Sequence, residues 1–393
     1  MRRAALALLL ALTLPLGALA AEPPKLDGFA DVPRRARLAL FKAQQEKALG
    51  QAEDAVKVLR SFLRDNPGED HYLLRFQLGA LLLELERPDE ARDAFREAAH
   101  LEPRHADSWL NMGELAYQAG DFAEAAEGIY QGYLLTPSQP QHLLYAAAAA
   151  YVLAEQPAKA LPLLEDLVYR RTELAKLDWY RALIAACLDT DARDEGERAV
   201  AHLLKQHGDD PEAWVLACQF HAAVSDYQRS AVDLTVAGYL RPLTEEEQVQ
   251  LGNLYSAAGV PDLAGSCYAA ALGDEPSAED FERLASTYLA AHEREAALDT
   301  LERALAAEPS VRLWSLLGDL LYMEEEYGRA RDAYAHCADM DAGQGRAVLM
   351  QGYCALEQDD EAGAVALLER AKGFEDQAQA AEQLLARLRS DTP

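Results

Sequence analysis

The sequence predicts an all-α chain of about ten stacked helix–turn–helix units, and three observations carry that prediction. Small residues recur at Ala55, Ala91, Ala125, Ala160, Gly196, Ser230, Ala264, Ala297, Ala330 and Ala364, at intervals of 33 to 36 residues. Such a period marks one supersecondary unit repeated along the chain, with a small side chain wherever two helices approach closely. Stretches rich in Ala, Leu, Glu and Arg, with few β-branched runs, favour helix. Prolines 67, 103, 137, 242, 276 and 309 fall where each second helix should stop, since proline cannot continue one.

Taken in order, residues 1–20 read as an export signal: Arg2 and Arg3, an apolar stretch from 4 to 16, then Ala18-Leu19-Ala20 for a signal peptidase. The apolar stretch is shorter than a membrane span and Pro15 breaks it. Residues 21–35, with Pro23, Pro24, Gly28 and Pro33, read as an extended or disordered segment. The repeat array is expected over 36–376, with units opening near 36, 72, 106, 141, 177, 211, 245, 278, 311 and 345. Capping boxes such as Thr244-Glu245-Glu246-Glu247 start several first helices. The longer spacing around 160–177 predicts a looser junction between the fourth and fifth units. An amphipathic helix near Gln377 to Arg389, within a final segment 377–393, should cover the apolar edge of the last unit.

Charge narrows the partners. The chain carries 37 basic and 66 acidic residues, a net −29. Such a surface repels phosphate backbones and anionic headgroups, which argues against nucleic acid and against insertion into a membrane after the signal is removed. Arg34-Arg35-Ala36-Arg37 and Tyr169-Arg170-Arg171 with Lys176 and Arg181 are the two basic clusters; they read as offsets to neighbouring carboxylates, with an acidic partner as the alternative. Five cysteines without a C-x-x-C pair point to buried thiols; in an oxidising compartment a Cys337–Cys354 bridge between neighbouring units is the alternative.

No complete catalytic constellation stands in the sequence. His292-Glu293 begins like a zinc-protease motif, but the second histidine is missing. Glu97 and His100 have the spacing of one di-iron pair with no second pair. Asp189, Asp191 and Asp194 lack the glycine and terminal glutamate of a calcium loop. The reading is a non-enzyme without cofactor or metal.

Two units carry a resemblance. Trp109, Met112-Gly113, Gly120-Asp121-Phe122, Ala125 and Pro137 form one set; Tyr72, Leu78-Gly79, Ala91, Phe95, Ala98 and Pro103 form the other. These resemble the tetratricopeptide repeat, whose small first-helix residue recurs here as Gly79, Gly113, Ala148, Cys218, Gly252, Ala285, Gly318 and Gly352, with Ile184 as the exception. The resemblance implies a right-handed α-solenoid whose first helices line a concave groove that binds a segment of a protein partner. Carried over position by position, the groove would present Leu73, Phe76, Leu83, Leu110, Glu114, Tyr117, His142 and Tyr145, then Arg312, Tyr322, Arg346 and Tyr353, with Asp319 and Leu349 beside them. The Lys and Asn clamp that some members close on a C-terminal carboxylate is absent.

Arg241-Pro242-Leu243-Thr244 before Leu251-Gly252-Asn253-Leu254-Tyr255, and Gln351-Gly352-Tyr353-Cys354-Ala355-Leu356 before Ala380-Ala381-Glu382-Gln383-Leu384-Leu385, look like the exported repeat proteins that accompany TonB–ExbB–ExbD systems. That resemblance implies a periplasmic scaffold in a Gram-negative envelope, supporting TonB-dependent outer-membrane transport. The alternative is an assembly factor for an outer-membrane secretion or polysaccharide-export complex.

Overall fold

A computed structural model describes residues 32–170, 174–273 and 276–391. The expected signal (1–20), the segment up to residue 31 and Arg171 lie outside them. Twenty-one α-helices occur among the described residues, ten helix–turn–helix pairs and a final helix. They fall into two compact units, 1–208 and 209–393, each with its own buried core, where the sequence reads one array over 36–376.

The first unit holds five pairs: α1 (Arg34–Ala48) with α2 (Ala52–Asp65), α3 (Tyr72–Glu84) with α4 (Pro88–Leu101), α5 (Ala106–Gln118) with α6 (Phe122–Leu135), α7 (Gln141–Leu153) with α8 (Pro157–Glu165), and α9 (Leu177–Asp189) with α10 (Arg193–His207). The second holds α11 (Pro211–Ala223) with α12 (Tyr227–Leu240), α13 (Glu245–Ala257) with α14 (Pro261–Ala270), α15 (Ala278–Ala290) with α16 (Arg294–Ala307), α17 (Val311–Met323) with α18 (Tyr327–Met340), and α19 (Gly345–Glu357) with α20 (Glu361–Ala371). The last helix, α21 (Glu375–Asp391), lays Ala381 and Leu385 against Val348, Leu349, Leu368 and Ala371, so it covers the edge of the final pair.

The periodic small residues mark the contact inside each pair: all ten are buried. A second constant separates the two helices. A Cβ on Gly79 would come within 2.9 Å of the Phe95 ring, on Gly113 within 2.8 Å of the Ile129 amide, on Gly318 within 2.7 Å of Tyr334, and on Gly352 within 2.9 Å of Leu368. Each large second-helix residue lies sixteen positions after its glycine, filling the notch that the missing side chain leaves.

The turn inside each pair is also uniform. Gly50, Glu86, Gly120, Glu155, Asp191, Ser225, Gly259, His292, Glu325 and Asp359 all take positive φ. The next amide then closes back on a carbonyl five residues earlier, as Arg87 N does on Leu82 O at 2.9 Å and Asp121 N on Ala116 O at 2.8 Å. This is the left-handed closure that satisfies the last carbonyls of a helix. Thr244 and Glu247 form the expected capping box at the start of α13, and Ser277 and Asp280 form another on α15.

One boundary, one junction and one cysteine pairing differ from expectation. Helix α1 begins at Arg34, inside the segment read as extended, because Pro33 stands at its N-cap and Val32 is buried in the core. At 160–177, where a looser junction is expected, α8 packs on α9 and both Leu167 and Val168 are buried. Its irregularity is local. Pro162 lies inside α8, which runs into a π-helical turn at Asp166–Arg170, and a proline without an amide hydrogen disturbs the ladder there. All five cysteines are free and buried, so Cys337 and Cys354 form no bridge. Burial pushes the Cys218, Cys337 and Cys354 thiols up to about 11.

Candidate functional site

In the first unit the residues expected to line a groove divide into two layers. Leu73, Phe76, Leu110, Glu114 and Tyr145 are buried; Leu83 and Tyr117 are half-buried, and His142 is exposed. The exposure expected of the first five is therefore corrected. Phe76 is 1% exposed because its ring is held edge-on by Phe95 at 5.4 Å and by His105, from the loop before α5, at 4.9 Å. Leu110 fills the space over Gly132 of α6, where a Cβ would come within 2.3 Å of its side chain.

Tyr145 is the informative member. It is 9% exposed, and its buried hydroxyl has no hydrogen-bond partner among the described residues. Burial, with Asp178 adding to it, raises its pKa above the ordinary phenol value. The groups that act on that hydroxyl come from both sides: Tyr117 of α5, and Asp178 and Arg181 of α9. On α5 and α9 several polar side chains are engaged. Asn111 Nδ2 donates to Asp107 O at 2.7 Å, Gln118 Nε2 to Glu114 Oε1 at 3.4 Å, and Arg181 Nη1 to Asp178 Oδ1 at 2.8 Å. Tyr117 itself is steadied by an edge contact with Phe122 at 5.4 Å. Asp178 escaped the sequence reading of the groove. It and Arg181, read there only as part of a basic cluster, occupy on α9 the register places that His142 and Tyr145 occupy on α7.

The second unit disposes its charges differently. Arg312 is exposed and pairs with Glu282 at 3.1 Å, beside a cavity of about 550 Å³ lined by Glu279, Glu282, Arg283, Ser286 and Arg312. Arg346 donates to Asp319 Oδ1 at 2.8 Å and to Ser315 Oγ at 3.1 Å. The same carboxylate oxygen accepts from the fully buried Tyr334 hydroxyl at 2.5 Å. Tyr322 and Tyr353 are half-buried and Leu349 is buried. Both arginines read as groove charges thus already hold carboxylates. Among the described residues no three His, Cys, Asp or Glu side chains gather as a metal site, and no helix is long and apolar enough to cross a membrane.

A tetratricopeptide-repeat family model matches residues 40–99, 76–142 and 282–344. Residues 40–142 and 282–344 are matched as tetratricopeptide repeats. No curated protein matches it. Among solved structures it is similar to YrrB, described as a TPR protein with an unusual peptide-binding site, at 17% identity over 48% of this chain and 98% of that one, with a TM-score of 0.38. It is similar to the Naa15/Naa10 complex bound to HypK at 18% identity over 89% of this chain and 60% of that one, TM-score 0.46. Yeast Tom70 aligns at 13% identity over 91% and 95%, TM-score 0.33. With every TM-score below 0.5, the fold rests on the helix pairs and on the repeat match. On the first-helix face of α7 the Tyr145 hydroxyl is a buried polar group without a hydrogen-bond partner, as are Arg92 Nε and Arg283 Nε elsewhere among the described residues.

Proposed function

We propose that this chain is a non-catalytic scaffold that holds a segment of another protein against the first-helix face of its first unit. The observation that carries this is the Tyr145 hydroxyl on α7, buried without a hydrogen-bond partner among the described residues, on a face that also bears the half-buried Tyr117 and the exposed His142. A buried hydroxyl is costly unless paired, so a site of this kind gains from an occupant that supplies the partner. The arginines of the second unit are engaged with carboxylates, which favours the first unit as the binding face.

The finer reading is a periplasmic protein supporting TonB-dependent transport. It is supported by the basic, apolar and small-residue order of residues 1–20 and by the short stretches around 241–255 and 351–356. The test is a comparison of partners captured from envelope extracts by the wild type and by a Leu83→Ala/Tyr117→Ala/His142→Ala variant. Loss of specific partners supports the groove; retention of every partner refutes it. Recovery of TonB, ExbB or ExbD among the lost partners, together with an N-terminus at Ala21 in the periplasmic protein, supports the finer reading. A cytoplasmic protein starting at Met1 overturns it.

A further inference from the structure

We infer that the open side of α1 docks an acidic amphipathic helix of a partner protein, at a second surface apart from the face proposed above. Helix α1 is the first helix among the described residues, and Leu38 and Phe41 stand 63% and 59% exposed on it. The 36-residue step from Ala55 to Ala91 sets Leu38 in register with Leu74 of α3, and Ser108, Leu143 and Trp179 hold that place on α5, α7 and α9. All four are buried, and each of those helices has the second helix of the preceding pair packed on it. The side of α1 that bears Leu38 is thus the side that a helix covers in every later pair of the unit. Charge decides the occupant. Arg34 stands in line with Leu38 and Phe41 at helical spacing, with Arg37 and Lys42 on either flank. All three cations are exposed and form no ion pair among the described residues, unlike Arg35, which meets Glu69 at 3.6 Å, and Lys47, which meets Glu84 at 2.8 Å. On a chain of net −29, these unmatched cations beside an apolar ridge complement carboxylates brought by another molecule. A second copy fits poorly. Laying α1 against α1 sets arginine against arginine, and the exposed side of α21 presents Glu375, Asp376, Glu382 and Gln383 with no large apolar residue among them.

The experiment uses the full chain and fluorescein-labelled helical peptides with Leu along one side and Glu, Gln or Lys on the other, read by anisotropy at ~50 and ~300 mM salt. At the lower salt the Glu peptide should bind at least about tenfold more tightly than the Lys peptide, the reverse of the order that net charge alone would set. Arg34→Gln/Arg37→Gln/Lys42→Gln should remove that preference, and Leu38→Ser/Phe41→Ser should weaken the Glu peptide about tenfold. Neither should lower the melting temperature, because all five side chains are exposed. Tyr117→Ala, and separately Val232→Ser/Tyr239→Ser, an exposed pair on α12, should leave affinity unchanged. A Glu peptide that binds no better than the Lys peptide, or that Leu38→Ser/Phe41→Ser still holds, overturns the inference. If Tyr117→Ala releases the peptide and the α1 variants keep it, the face proposed above is the site and this one fails. A dimer in sedimentation that Leu38→Ser/Phe41→Ser dissolves makes a second copy the occupant. Binding only to a chain that begins at Val32 gives that role to the residues before it. Either result overturns the acidic partner.

Discussion

The ring of Tyr268 stands where a side chain on Gly252 would have to go: a Cβ built on that glycine lies 2.5 Å from the ring. Helices α13 and α14 can therefore touch only because residue 252 has no side chain. Gly252→Ala should destabilise the second unit by about 2 kcal/mol, the usual cost of overpacking a filled core. Gly68, where an added Cβ meets nothing within 4 Å, provides the control. Urea unfolding of Gly252→Ala and Gly68→Ala checks both, and equal midpoints would refute the notch.

Glu86 holds φ at 56° in the turn between α3 and α4. A residue with a Cβ pays for the left-handed region by roughly 1 kcal/mol, whereas glycine adopts it freely. Glu86→Gly should raise stability by about 0.5–1 kcal/mol, less the extra freedom glycine gains in the unfolded chain. Gly120→Ala, at φ 80° in the next turn, should lower stability by a similar amount. Denaturant midpoints measured side by side would expose an error in either sign.

His105 sits between Tyr72 and Phe76, ring centroids 4.9 Å away in each case, with Nδ1 2.8 Å from Ser108 Oγ. Burial lowers its pKa below the ordinary 6.5. A histidine with a depressed folded pKa binds fewer protons folded than unfolded in the window between the two values, so stability rises with pH across it. The melting temperature should fall as pH drops from about 7 toward 5, and His105→Gln should flatten part of that slope. An identical slope in the variant would remove His105 from the account.

The unit boundaries were legible because they are written in side-chain size. Ala55 through Ala364 and the first-helix glycines are small for a steric reason that any sequence shows directly. The turns were less so: only Gly50, Gly120 and Gly259 announce positive φ, while Glu86, Ser225 and His292 accept it because closure of the helix end imposes it. The groove was half legible. Phe76 and Tyr117 both lie on the first-helix face, but Phe76 is sealed by His105 from an adjoining loop and Tyr117 is not. That difference depends on contacts between neighbouring pairs, which a period along one chain does not encode. The unpaired hydroxyl of Tyr145 left no trace in the sequence at all.

The sixteen-residue spacing between each glycine and the side chain that fills it has a kinetic consequence. Within a unit, the contacts that define a pair join residues only a short stretch of chain apart, so forming one closes a small loop at little entropic cost. Domains dominated by such local contacts fold quickly, and folding can start at any pair and spread to its neighbours. As the chain is synthesised from its N-terminus, each pair can assemble as soon as its own stretch has emerged, without waiting for the rest to arrive.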